Sequence, residues 1–97
     1  MPTYISLLKW TEQGVRNLKD TVARTEQNRA AIEKAGGRLI GAWWTQGACD
    51  LVAVAEWPDD ESSSAYMLAL GMTGNVRSET MRAFTAEEMQ RIIQKMS

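Results

Sequence analysis

The chain has 97 residues, 44% hydrophobic and 24% charged, the balance of one soluble globular domain. A net charge of −1 gives no pull toward nucleic acid or an anionic membrane, and the absence of histidine removes the commonest general base and transition-metal ligand. The one cysteine excludes an internal disulfide and fits a reducing cytoplasm; the N-terminal "MPTYISLLKW" has no basic segment before its short apolar run, so neither a signal peptide nor a membrane span is expected.

In chain order, "TYISLLKW" (Thr3–Trp10) is rich in β-branched and aromatic residues and reads as a first strand. "TEQGVRNLKD" follows as a short turn or helical lead-in, weakened as a helix by Gly14. Residues 21–35 are mostly strong helix formers, with a thin apolar stripe of Val22, Ala23, Ala30 and Ile32, and Gly36-Gly37 ends them. "RLIGAWWT" and "DLVAVAEW" read as two strands of a hairpin joined by Gln46-Gly47-Ala48. "PDDESSSAYMLALG" opens a second helix, stopped near Gly71 or Gly74, with Ala65, Leu68, Ala69 and Met72 on one face at i, i+3, i+4, i+7. "NVRSETMRAF" is a fourth strand by length and flanks. "TAEE" fits a capping box, Thr85 to Glu88, ahead of a terminal helix with Met89, Ile92, Ile93 and Met96 on one face.

The order βαββαβ plus a terminal helix predicts an α+β fold of the ferredoxin-like, split-βαβ kind, with an antiparallel four-stranded sheet and two helices on one face. Such a sheet should alternate apolar-in and polar-out, yet the first and third strands do not. Leu51, Ala53, Ala55 and Trp57 share one face of the third strand while Val52 and Val54 occupy the other; Ile5 and Leu7 oppose Tyr4, Leu8 and Trp10 on the first. Strands apolar on both faces need cover on both, so the open face is expected to meet a second copy of the chain. The alternative is a monomer whose C-terminal helix folds over that face.

"MPTYISLLKWTEQG", "WWTQGACDLVAVAEWPDDE" and "MLALGMTGNVRSETMRAFTAEE" resemble, in order and spacing, the GYD-domain family. The resemblance covers nearly the whole chain. It implies a small bacterial or archaeal protein of ferredoxin-like fold, similar in build to the dimeric α+β barrel proteins, and it carries no activity and no assigned catalytic residues. Where the family motif reads Gly-x-Tyr-Asp, this chain has Gly47, Ala48 and Asp50 around Cys49, so any role of that tyrosine hydroxyl is absent.

A pocket between sheet and helices would draw on Tyr4, Trp10 and Trp44 and on one of the strand arginines. Trp43 and Trp44 are adjacent on a strand and must point to opposite faces; filling core or interface volume is the commoner task of such rings. Asp50, just past a turn, either holds nearby backbone N–H groups or meets a ligand. Cys49 has no histidine to activate it and no second cysteine to resolve an oxidised form, which favours a structural role. Arg77 and Glu79 share one face of the fourth strand and Arg82 the other; a guanidinium there can fork onto a ligand carboxylate or join an ion pair with Glu79, Glu56 or Asp50. Asp59, Asp60 and Glu61 cluster at a helix N-terminus, where the dipole stabilises acids without a metal. Gly71, Gly74 and Asn75 follow no strand and form no phosphate-binding loop. The third strand lacks the Gly-aromatic signature of the RNA-recognition module that shares this element order. Neither cofactor, metal nor nucleic acid is therefore expected. Two readings follow: a small-molecule binder, as a cofactor-independent enzyme or otherwise, and a non-enzymatic assembly, sensory or partner-binding module.

Overall fold

In the computed structural model, which describes residues 1–96, the chain runs β1 (Thr3–Trp10), α1 (Glu12–Arg16), a 3-10 turn (Leu18–Asp20), α2 (Thr21–Lys34) and β2 (Arg38–Trp44). It continues through β3 (Leu51–Glu56), α3 (Asp60–Met72), β4 (Val76–Ala83) and α4 (Ala86–Gln94). The strands form one sheet in the order β2-β3-β1-β4, antiparallel throughout. This is the ferredoxin-like α+β arrangement that the element order predicts.

Local chemistry sets the ends of these elements. Thr11 caps α1 by accepting the Gly14 N–H at 3.1 Å, and Asp59 caps α3 by accepting the Ser62 N–H at 2.7 Å. Thr85 and Glu88 exchange reciprocal bonds of 3.2 and 2.9 Å at α4, the capping box legible in "TAEE". Gly36 stops α2 at φ +95°, where the Gly37 N–H reaches back to the Ile32 carbonyl at 2.9 Å and the Gly36 N–H to Glu33 at 3.1 Å. Gly37 must also lack a side chain, because a Cβ there would sit 2.7 Å from the Trp57 ring.

Alternation along the register sends Tyr4, Ser6, Leu8 and Trp10 of β1 to the helix side, with Leu51, Ala53 and Ala55 of β3 and Val76, Ser78, Thr80 and Arg82 of β4. The core has two centres. One joins Tyr4, Ile32, Leu39 and Trp57; the other joins Leu8, Leu51 and Val76. Trp57 is the most enclosed, 2% exposed, with its ring 5.3 Å from that of Tyr66. Burying a side chain of this size contributes about 3 kcal/mol.

Two expected helix stripes are corrected. On α2, Val22 is 60% exposed and Ala23 and Ala30 face solvent; the inward positions are Thr25, Asn28 and Ile32. On α3, Leu68 and Met72 are 72% and 88% exposed, and the inward set is Ser63, Tyr66, Met67 and Leu70. The second set has the same i, i+3, i+4, i+7 spacing, so α3 carries two apolar stripes and the bulky Tyr66 and Met67 settle which faces the sheet. The β2–β3 connection is also longer than expected. It spans 45–50, closed by the Thr45 N–H to Asp50 carbonyl bond at 2.8 Å and the Thr45 hydroxyl to Cys49 carbonyl bond at 2.7 Å. A register shift between Leu39 and Gly41 adds a bulge in β2 that the sequence does not announce.

The opposite face of the sheet is uncovered. It presents Ile5, Leu7 and Lys9 of β1, Val52 and Val54 of β3, Arg77, Glu79 and Met81 of β4, and Trp43 of β2. The helix α4 does not fold over it: α4 makes only slight contact with the rest of the chain, and Met89, Ile93 and Met96 are exposed. The accessible surface of 6690 Å² for a 10.8 kDa chain exceeds the ~5,500 Å² typical of a monomer of that mass. The molecule is a plate with extents of 51 × 31 × 19 Å.

Candidate functional site

The helices α2 and α3 both lie on one side of the sheet but do not pack on each other. Between them runs a trough floored by small side chains. Ala53 pairs with Ser6 on one side and with Ala42 on the other, and Ala55 extends the floor. Thr25, Asn28 and Ile32 form one wall and Ser63, Tyr66, Met67 and Leu70 the other. At the Tyr4–Trp57 end the free space is only about 60 Å³, room for about two waters. Toward Trp10 the trough opens to about 230 Å³ beside Arg24, Gln27, Asn28, Thr73 and Asn75. An apolar cavity of about 150 Å³ suffices for a benzene ring, so the wide end can hold one ring and the narrow end cannot.

The polar groups divide between those already engaged and those free. At the closed end the Tyr4 hydroxyl donates to Asp60 Oδ1, in the first turn of α3. That bond, followed by burial, pushes the Tyr4 phenol above its usual range, and burial pushes Tyr66 up to about 12. Both phenols are therefore neutral donors at physiological pH. Ser6 and Thr80 share a hydroxyl–hydroxyl bond of 2.8 Å. Thr25 donates to the Thr21 carbonyl at 2.9 Å, and the Trp44 indole N–H donates to the Thr21 hydroxyl at 3.0 Å. The Tyr66 hydroxyl and the Asn28 amide have no partner among the described residues. Arg24 donates to the Asn17 carbonyl at 2.7 Å and pairs with no described carboxylate.

The rim of the wide end is fixed by α1. The Asn75 carbonyl accepts the Thr11 N–H at 3.0 Å, and its side-chain oxygen accepts the amides of Gln13 at 3.1 Å and Asn17 at 3.3 Å. Gly14 lies so close that a Cβ there would stand 2.0 Å from the Asn75 carbonyl oxygen. Gly74, at φ +85°, turns the chain into this clasp.

The GYD domain family model matches residues 4–93. The chain belongs to the GYD domain family. Its fold is similar to the crystal structure of TTHA0845 from Thermus thermophilus, with a TM-score of 0.55 and 24% identity over 89% of this chain and 96% of that one. No curated protein matches it.

The GYD domain scatters the residues that the sequence singles out. Tyr4 and Trp10 line the trough, at opposite ends. Trp44 points to the same side but stands at its outer wall, 40% exposed, held by Thr21. Asp50 uses its carboxylate to accept the Trp10 N–H at 3.0 Å while its own N–H donates to the Leu8 carbonyl at 2.8 Å, locking the hairpin to the end of β1. Cys49, half-buried with its sulfur 3.7 Å from the Thr45 hydroxyl, lies with Leu7, Lys9, Arg77 and Glu79 on the opposite face of the sheet. Arg82 is on the helix side, its guanidinium 4.5 Å from the Phe84 ring centre and 5.8 Å from that of Tyr4. It pairs with Glu88 at 3.4 Å, not with Glu79, Glu56 or Asp50, and so fastens the base of α4.

Sequence reasoning missed Arg24, Asn28 and Tyr66. The available signal was the polar run Thr21, Thr25, Asn28 leading to Ile32 at i, i+4, i+7, i+11, a helix face whose inward residues are mostly hydrophilic. Such a face contradicts a sealed core and marks a wet or ligand-lined one. Among the described residues no cluster of three or more potential metal ligands occurs, and no helix is long and apolar enough to cross a membrane.

Proposed function

We propose that this GYD domain binds a small organic acid carrying a single ring, seated at the wide end of the trough. The observation that carries the reading is the trough itself: two helices held apart over an alanine- and serine-floored strip, with an aromatic, a free amide and a cation that pairs with no described carboxylate at its mouth. A ring would lie against Trp10 and Leu70, with Arg24 answering a carboxylate and Asn28 a second polar group. Cys49 is across the sheet and Asp50 is occupied by a backbone N–H, so neither serves as nucleophile or base at the trough. This supports binding over turnover, in the cytoplasm that one unpaired cysteine fits.

The uncovered sheet face supports a second reading, a homo-oligomeric module in the manner of dimeric α+β barrels, with two copies meeting over Ile5, Leu7, Val52 and Val54. The two readings are compatible, since trough and open face lie on opposite sides of the sheet. A thermal-shift series with benzoate, phenylacetate, phenol and cyclohexane carboxylate separates them. At ten times its dissociation constant a ligand adds about 1.4 kcal/mol, a rise in melting temperature of roughly 5–10 °C for a domain of this size. A flat response across the series, with an oligomer found by light scattering, would leave the assembly reading alone.

A further inference from the structure

We propose that the outer edge of β4 pairs antiparallel with β4 of a second copy. The two edges of the sheet differ. The edge strand β2 is interrupted by a bulge between Leu39 and Gly41, which blunts it for pairing. In contrast β4 is eight residues without proline or bulge, paired in unbroken register with β1 and mostly exposed.

Its charges are self-complementary. Arg77 and Glu79 point to the same face, and neither has an ion-pair partner among the described residues. Arg77 instead stands opposite Lys9 on β1, a like-charge cross-strand pair that costs stability in the isolated chain. An antiparallel β4–β4 pairing about a two-fold axis at Ser78 engages residues 76–80 of each copy and sets Arg77 of each opposite Glu79 of the other. It makes two equivalent ion pairs and relieves both Lys9–Arg77 contacts. Alternating signs do not repel a second copy, unlike the single-sign charges that protect edges elsewhere.

The helix layer fits the same axis. The outward stripe of α3 includes Leu68 and Met72, 72% and 88% exposed, and these two residues border a space of about 360 Å³ against Val76, Arg77 and Ser78 of β4. Gly71 lies between them, with no atom within 4 Å of where its Cβ would be, so a second α3 can approach closely. Strand pairing, charge pairing and an apolar seam thus coincide on one edge, as an isologous contact requires. The interface lies at the sheet's edge, clear of the trough; Arg77 and Glu79 also border the open face, so a crosslink at Ser78, which is on the helix side, is what separates edge pairing from face-to-face assembly.

Charge exchange tests it. In sedimentation equilibrium at tens of micromolar, the wild-type chain associates. R77E sets acid opposite Glu79 and weakens the β4–β4 contact roughly 10- to 30-fold, halving the assembly's mass, whereas the double exchange R77E/E79R restores it. Ser78, on the axis, faces itself, so S78C in a Cys49→Ser background should give a disulfide-linked dimer on mild oxidation. A monomeric wild type, an assembly indifferent to R77E, or S78C that stays uncrosslinked while still associating overturns the proposal. Should R77E fail to fold, the S78C result decides alone.

Discussion

Ala53→Val fills the trough at its floor. Ala53 sits in β3 between Ser6 and Ala42, the smallest part of the strip between α2 and α3. The narrow part of the trough that Ala53 floors has about 60 Å³ of free space, room for the two methyl groups that valine adds. Burying those two carbons at about 0.8 kcal/mol each is worth about 1.5 kcal/mol. Valine's fit to a pleated strand acts in the same direction. Overpacking would cost about 1–3 kcal/mol if the methyls met Met67 or Ser6, and it loses only if the space is real. Urea denaturation should therefore show a higher midpoint at unchanged slope, with a melting temperature raised by roughly 6–12 °C. The same variant should leave a ring acid at the wide end bound as before, because Ala53 lines only the narrow part of the trough. A midpoint lowered by the equivalent of about 1 kcal/mol or more would refute the reasoning, because it would mean that Ala53 already touches its neighbours.

Further outcomes follow from the same geometry. Gly14→Ala improves intrinsic helix propensity by about 1 kcal/mol, yet its Cβ would stand 2.0 Å from the Asn75 carbonyl oxygen; calorimetry should show net destabilisation, and a stabilised variant would contradict the clasp. At high pH the raised phenols set the sign: the unfolded tyrosines ionise near 10 while Tyr66 holds its proton to about 12. Stability is thus full below about pH 10 and falls as pH rises through that window. Phenolate absorbance against urea midpoint checks this. Thr85→Ala removes the α4 cap and should lower helicity there at a cost of about 1 kcal/mol or less, leaving ligand shifts at the trough unchanged. In the native chain the Thr85 N–H holds the Glu88 carboxyl below its usual range, so α4 should hold at mildly acid pH and fray as pH drops below the ordinary carboxylate range.

Most of the fold was legible in the residues. Turn glycines, the Thr85–Glu88 capping box and the β-branched and aromatic content of the strands placed the four strands and the three longer helices to within about two residues, because these are local rules that the tertiary structure obeys here. The helix stripes were less legible for one physical reason. Val22, Ala23 and Ala30 on α2 are more apolar than Thr25 and Asn28, so a rule that turns apolar residues inward misorients that helix. On α3 two apolar stripes have identical spacing, and only contact with the sheet selects Tyr66 and Met67. The candidate site was hidden by the same inversion. Its walls are the polar residues of α2, while the conspicuous residues of the hairpin, Cys49 and Asp50, do structural work or lie on the opposite face. The β2 bulge and the separation of α2 from α3 arise from long-range contacts that no local pattern encodes.

The decisive measurement is an amide and indole NMR titration of the whole chain with benzoate. Binding in the trough predicts saturable shifts concentrated on the Trp10 indole, the Asn28 and Asn75 side-chain amides and the α2–α3 walls around Thr25 and Leu70. Shifts centred instead on Lys9, Cys49 and Arg77 across the sheet, or no saturable shift with benzoate or the other ring acids, would contradict a ligand site between the helices.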